Sequence, residues 1–145
     1  MKTDKEICEF VEQNLGVKFP EIFKEIHYNG MEKLYNNFIF SYFDKNFGRK
    51  LEEGIGTFLT FLPSDPSNIL RETLLHPQLY GKKLIPFVDI GGSNYLCFDY
   101  SIDGFSDLNP PIIFWVHEYE DGQKICDVAI NFQSFLDKLE SAEKI

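Results

Sequence analysis

Cys97, Asp99 and His117 are of the residue types that build a nucleophilic centre, with a thiol, an orienting carboxylate and a base. Cys97 and Asp99 are two apart in an apolar run, so they share one face of a strand. Cys97 is flanked by Leu96 and Phe98, with no neighbouring cation or helix N-terminus to activate it. A small packed thiol beside a surface carboxylate accounts for the spacing better than catalysis does. Gly91-Gly92 follows an apolar run, where a phosphate-cradling loop would stand. Neither GxGxxG nor GxxxxGK[ST] is present, however, and the next segment reads as a strand, so a tight hairpin turn is the better account. His27, His76 and His117 are scattered, and Cys8, Cys97 and Cys126 lack CxxC spacing and lie among apolar residues. Buried reduced thiols are expected, with no metal and no cofactor. Two of the 23 acidic residues could still meet as a hydrolytic pair, and no spacing singles one out.

The same region carries a one-sided charge. Between Lys83 and Lys124 there is no Lys or Arg, yet seven carboxylates occur: Asp89, Asp99, Asp103, Asp107, Glu118, Glu120 and Asp121. The whole chain has a formal net charge of −9, which argues against direct nucleic-acid binding, because phosphate recognition relies on clustered cations. A basic protein partner would instead be steered by this field. A length of 145 residues with 43% hydrophobic and 26% charged residues predicts one globular domain over 1–145. No apolar run is long enough to span a membrane, and MKTDKEICEF lacks the apolar core of a signal peptide, so a cytoplasmic protein is expected.

Elements able to position these residues follow from local patterns. Thr3-x-x-Glu6 is a capping box ahead of Ile7, Phe10 and Val11, and Gly16 ends that helix. A second helix starts at Phe19-Pro20, turns Ile22, Phe23 and Ile26 inward, and stops at Asn29-Gly30. Residues 37–43 and 56–62 read as strands joined by a charged connector, 44–54. After Pro63-Ser64-Asp65-Pro66 comes a helix to about His76, with Ile69, Leu70, Thr73 and Leu74 inside. Strands then follow at 84–90, 95–100, 111–116 and 125–130, and Asn131 caps a last helix with Phe132, Phe135, Leu136 and Leu139 on its inner face. Residues 140–145 are expected to fray. The layout is an α+β domain with a mostly antiparallel, twisted sheet of about six strands flanked by N-terminal, middle and C-terminal helices. Fifteen Phe predict aromatic sheet faces, and Phe114, Trp115 and Tyr95 read as core on central strands.

In this order the segments resemble the SUKH superfamily, which is named in part for a fungal cell-wall-synthesis regulator and consists mainly of bacterial immunity proteins. The resemblance rests on Leu15-Gly16-Val17-Lys18-Phe19-Pro20, Tyr28-Asn29-Gly30, Leu84 to Gly92, Asn94 to Tyr100, Pro110 to Glu118 and the final Phe132-x-x-Phe135-Leu136. Two positions depart from the family pattern. Gly30-Met31 stands where two glycines are usual, and Asn94 where Asp is favoured, which removes one negative charge. The resemblance implies a non-enzymatic immunity protein that binds a cognate toxin domain, often a basic nuclease. The runner-up roles are a regulatory protein-interaction scaffold and a small carboxylate-dependent hydrolase.

The expected contact set is Asp99, Asp103, Asp107, Glu118, Glu120 and Asp121, with Phe105 as an aromatic anchor. The partner is expected to be a protein toxin domain, with no nucleic acid, no membrane and a monomeric state.

Overall fold

The computed structural model describes residues 2–101 and 109–141. Helix α1 (Asp4–Leu15) starts at the anticipated capping box: the Thr3 side chain accepts from the Glu6 amide, and Gly16 closes the helix at φ 73°. Its buried stripe is Cys8, Val11, Glu12 and Leu15, while Phe10 is exposed. Helix α2 (Glu21–Tyr28) buries Phe23 and Ile26 and leaves Ile22 outside. The inner faces of both helices are thus rotated slightly from the expected ones. Glu12 explains the rotation of α1. Its carboxylate accepts from the Phe19 amide at 2.7 Å and pairs with Lys24 at 3.1 Å, which holds the α1–α2 link closed.

Among the described residues eight strands form one sheet, two more than expected. They are β1 (Phe38–Asp44), β2 (Arg49–Gly54), β3 (Thr57–Phe58), β4 (Leu84–Gly91), β5 (Asn94–Asp99), β6 (Ile112–Trp115), β7 (Ile125–Ala129) and β8 (Glu140–Ser141). The order across the sheet is β2-β1-β7-β6-β5-β4-β3, β8 also pairs with β1, and every pairing is antiparallel.

Strand β2 corrects the reading of 44–54 as a plain connector. Its residues alternate too weakly to show a buried face, because it is an edge strand, where charge is tolerated and discourages further pairing. Glu140 and Ser141 pair with Ile39 and Phe38 instead of fraying, while residues 142–145 lie outside the described residues. The segment 56–62 is a strand only at Thr57–Phe58, since Thr60 turns away to bond with Ser67 and Ile69.

Helix α3 (Ile69–Leu75) is capped by Asn68, which accepts from the Arg71 amide. Ile69 and Thr73 are buried as expected, but Leu74 is 61% exposed. A short helix not expected from the sequence, α4 (Pro77–Tyr80), follows directly. Helix α5 (Phe132–Lys138) is capped by Asn131 as anticipated.

The sheet is buried on both faces along its central strands β4, β5 and β6, while β1 and β2 keep exposed residues. One face meets α1, α2, α3 and α5 through an aromatic core in which Phe19, Phe23, Phe61, Phe87, Phe98 and Phe132 lie ring against ring. A bulge at Phe87 between the Pro86 and Val88 pairings lets that ring stack on Phe98 at 4.3 Å. The other face carries a smaller cluster of Leu84, Tyr95, Cys97, Ile113 and Trp115, covered by Leu79 of α4. This second cluster is why Phe114 and Trp115 are both buried although they point to opposite sides. The β4–β5 hairpin turns at Gly92 and Ser93, both at positive φ (62° and 67°), which is the two-residue geometry that matches strand twist. Among the described residues, no helix is long and apolar enough to cross a membrane.

Candidate functional site

The acidic loop between β6 and β7 is held from several sides. The Val116 amide bonds the Lys124 carbonyl at 2.8 Å and the Gln123 amide bonds the Glu120 carbonyl at 2.9 Å, closing the loop on itself. The His117 amide donates to Asn94 Oδ1 at 2.8 Å, tying the loop to the β4–β5 turn. Asn94 therefore supplies the same acceptor that an Asp would, without its charge. The Lys124 ammonium donates to the His117 carbonyl and lies 5.6 Å from the Trp115 ring centre. On the far side, the Tyr119 hydroxyl donates at 2.6 Å to Oδ2 of Asp44, a fully buried carboxylate. Glu118, Glu120 and Asp121 project to solvent from this pinned frame.

Asp44 itself shapes the β1–β2 turn. Its Oδ1 accepts from the Asn46 and Phe47 amides at 2.8 and 3.2 Å, while its own carbonyl accepts from Gly48. One buried carboxylate thus sets two hairpin turns. Because its hydroxyl serves that carboxylate, Tyr119 is pushed up to about 12. Neither Asp44 nor Tyr119 was expected to matter, since no local pattern links residues so far apart in sequence.

The surroundings are less one-sided than the sequence. Lys45, Lys82 and Lys124 line a groove with His117, Asp121 and the edge of Trp115. Lys45 arrives from the β1–β2 turn and Lys82 from the α4–β4 link, both outside the cation-free stretch. The acidic loop is consequently bordered by three lysines, a juxtaposition only the fold creates.

Asp99, another expected contact residue, lies elsewhere. Asp99 is 9% exposed and accepts from the Ser101 amide at 2.9 Å and from the Ser101 hydroxyl, so it is a buried turn-former and not the surface carboxylate expected. It closes β5 at the Leu84 pairing, whereas Tyr95, at the start of β5, pairs with Trp115 beside the acidic loop. Asp99 and Glu118 therefore sit at opposite ends of the sheet. Asp103, Phe105 and Asp107 lie outside the described residues.

Cys97, Asp99 and His117 are not brought together. Cys97 is fully buried mid-strand, and burial holds its thiol well above its ordinary value, with the Asp99 charge adding to the effect. Cys8 and Cys126 are also buried free thiols, each pushed up to about 11 chiefly by desolvation. His76 takes part in a different arrangement. The Tyr95 hydroxyl donates to Glu72 Oε2 at 2.9 Å and lies 3.4 Å from His76 Nε2, and the second imidazole nitrogen meets the Glu72 carbonyl at 2.9 Å. These bonds tie the outer side of α3, whose Ile69 packs in the main core, to Tyr95 of the second sheet face. Burial first, and then the bond to Glu72, hold the Tyr95 phenol protonated and available as a donor. Among the described residues, no three His, Cys, Asp or Glu converge to hold a metal ion.

A curled antiparallel sheet with four helices on one face, α4 on the other and a pinned, charged hairpin loop at one end defines an α+β protein with a preformed surface patch. The chain belongs to the SMI1 / KNR4 family (SUKH-1), which it matches over residues 2–138. No curated protein and no solved structure matches it.

Proposed function

We propose that this chain is a non-enzymatic immunity protein that neutralises a cognate toxin domain, of the basic nuclease type, by covering its active or substrate-binding surface in the cytoplasm. The observation that carries this reading is the pinned 116–124 loop, which presents Glu118, Glu120 and Asp121 in a fixed geometry. Preorganised carboxylates lose little entropy on binding, and they meet the cations with which a nuclease grips phosphates. Membership of the SMI1 / KNR4 family supports the same reading. Charge steering would speed capture, which an antidote needs. The neighbouring Lys45, Lys82 and Lys124 add selectivity, because a uniformly basic partner would meet repulsion at the groove.

The test is capture of the toxin domain encoded beside this gene by the tagged protein. Salt-sensitive 1:1 binding with loss of toxicity supports immunity. Absence of binding, with toxicity unchanged on co-expression, rejects it in favour of the scaffold role.

A further inference from the structure

Away from the acidic loop, a small cavity opens between α1, α2 and residues 60–62, with Asp4, His27, Glu32 and Thr60 as its polar lining and Tyr28 and Phe61 among its walls. It has room for about 60 Å³. At the ~15 Å³ that one water centre requires, that is space for a few small heavy atoms. His27 has only 4% of its side chain exposed, and its ring rests 4.5 Å from Phe23 and 4.8 Å from Phe61. Its Nε2 makes no hydrogen bond within the protein, and neither does Oε2 of Glu32, whose side chain is 11% exposed. The nearest approach between the two side chains, His27 Nδ1 to Glu32 Oε2, is 4.0 Å, too long for a hydrogen bond.

The other buried carboxylates of this fold are well served. Glu12 has Lys24 and the Phe19 amide; Asp44 has Tyr119 and two amides. Among the described residues Glu32 is the exception, its Oε2 finding no donor, and no Lys or Arg lines its cavity. A buried carboxylate oxygen without a donor is costly, and so is a buried imidazole nitrogen without a partner. The lining lacks a compact cationic donor. An anion would be repelled by Asp4 and Glu32, and too few ligating groups converge for a metal ion.

We propose that this cavity receives a primary ammonium group, with Glu32 as its counter-ion, His27 Nε2 as a second acceptor and Asp4 at the mouth. An ammonium's three N–H donors equal these acceptors in number, with Asp4 reached at the mouth instead of in a tight ligand cluster, and the aromatic rings accommodate both its methylene stem and its charge. A neutral imidazole protonated at Nδ1, the nitrogen closer to Glu32, leaves Nε2 free to accept. The inference does not depend on the immunity reading, since it concerns a different part of the surface. The group could be the tip of a free alkylamine or the side chain of a lysine on another protein.

The experiment titrates the isotope-labelled full chain with n-butylammonium while following the imidazole nitrogens of His27. Saturable shifts of Nε2 are expected, and n-butanol and tetramethylammonium, which lack N–H donors or charge of the right size, should leave them unmoved. Glu32→Gln should weaken binding about tenfold, equivalent to ~1.4 kcal/mol. Asp4→Asn, on an exposed residue whose replacement does not threaten folding, should weaken it about threefold, as for a partly screened charge. N-acetyl-lysine N-methylamide separates the sources: if it binds, the site takes a protein lysine, and if only butylammonium binds, it takes a free amine. Absence of saturable shifts with either compound overturns the proposal, as does equal binding of n-butylguanidinium or undiminished binding by both variants.

Discussion

The Tyr119 hydroxyl and the Asp44 carboxylate, 2.6 Å apart and separated by 75 residues in sequence, join the β6–β7 loop to the β1–β2 turn. The bond links a fully buried acid to the loop that carries Glu118, Glu120 and Asp121. Charge-assisted bonds of this kind are worth about 1.5–3 kcal/mol. Tyr119→Phe is therefore expected to lower stability by about that amount in urea unfolding and to speed amide exchange across 117–123. The tyrosine proton is held more tightly in the folded state, up to about 12 against the ordinary 10.0. The bond's contribution is thus complete below pH 10 and fades as pH rises towards 12, a loss the Phe variant will not show. An unchanged urea midpoint for Tyr119→Phe would remove Asp44 as the organiser of the loop.

His27 gives the fold a sensitivity to acid. Burial lowers it from 6.5 to about 4, so the unfolded chain binds its proton first as pH falls. Stability is full above pH 6.5 and declines towards pH 4, by on the order of 3 kcal/mol at the lower end. Glu32 from the turn after α2 and Asp4 from α1 face the same cavity, and burial outweighs their attraction for the imidazolium. A His27→Phe variant should unfold with a flatter pH profile between 4 and 6.5, and a profile identical to the parent's would exclude His27 as the cause.

Gly56 sits against the backbone of β4. A Cβ there would lie 2.1 Å from the Asp89 carbonyl oxygen, whereas one at Gly54 would meet nothing within 4 Å. Gly56→Ala should destabilise by about 2–3 kcal/mol through overpacking, and Gly54→Ala by less than about 0.5 kcal/mol. Equal thermal midpoints for the two variants would contradict the β3–β4 pairing.

Glu12 bridges α1 and α2. Glu12→Ala removes the buried partner of Lys24, leaving it Glu21 at 3.5 Å, and frees the Phe19 amide. A loss of about 3 kcal/mol is expected, the low end for a buried pair because Lys24 keeps Glu21 and reaches solvent. Lys24→Met in the same background should cost less than it does alone, a coupling that a double-mutant cycle measures directly.

Reversing charge at the loop tests the proposed function. Glu118→Lys with Glu120→Lys should leave stability within about 0.5 kcal/mol, since both residues are solvent-exposed. Association with a basic toxin domain should slow by about tenfold at low ionic strength, and its salt dependence should shrink. Unaltered association kinetics would place the interface elsewhere.

Much of this protein is written in short-range patterns. The capping box at Thr3 and Glu6, the stop at Gly16, the cap at Asn131 and a tight hairpin turn after Ile90, expected at Gly91-Gly92 and centred one residue later on Gly92 and Ser93, each rest on bonds or angles within a few residues, so the sequence alone determines their presence. The segments shared with the SUKH family were legible for the same reason, as was burial of the aromatic central strands. The edge strand β2 and the two-residue β8 escaped, because an edge strand has no buried face to leave an alternating pattern and β8 exists only by pairing with β1. The acidic run was legible as composition but not as a surface. Successive antiparallel connections leave from opposite ends of a sheet, so Asp99 and Glu118 are separated by the strands between them, while Lys45 and Lys82 arrive beside Asp121 from distant segments. Sequence determined which residues cap, turn and fill the core; tertiary structure alone decided which charges become neighbours, because side-chain proximity across strands is set by long-range pairing that no local pattern records.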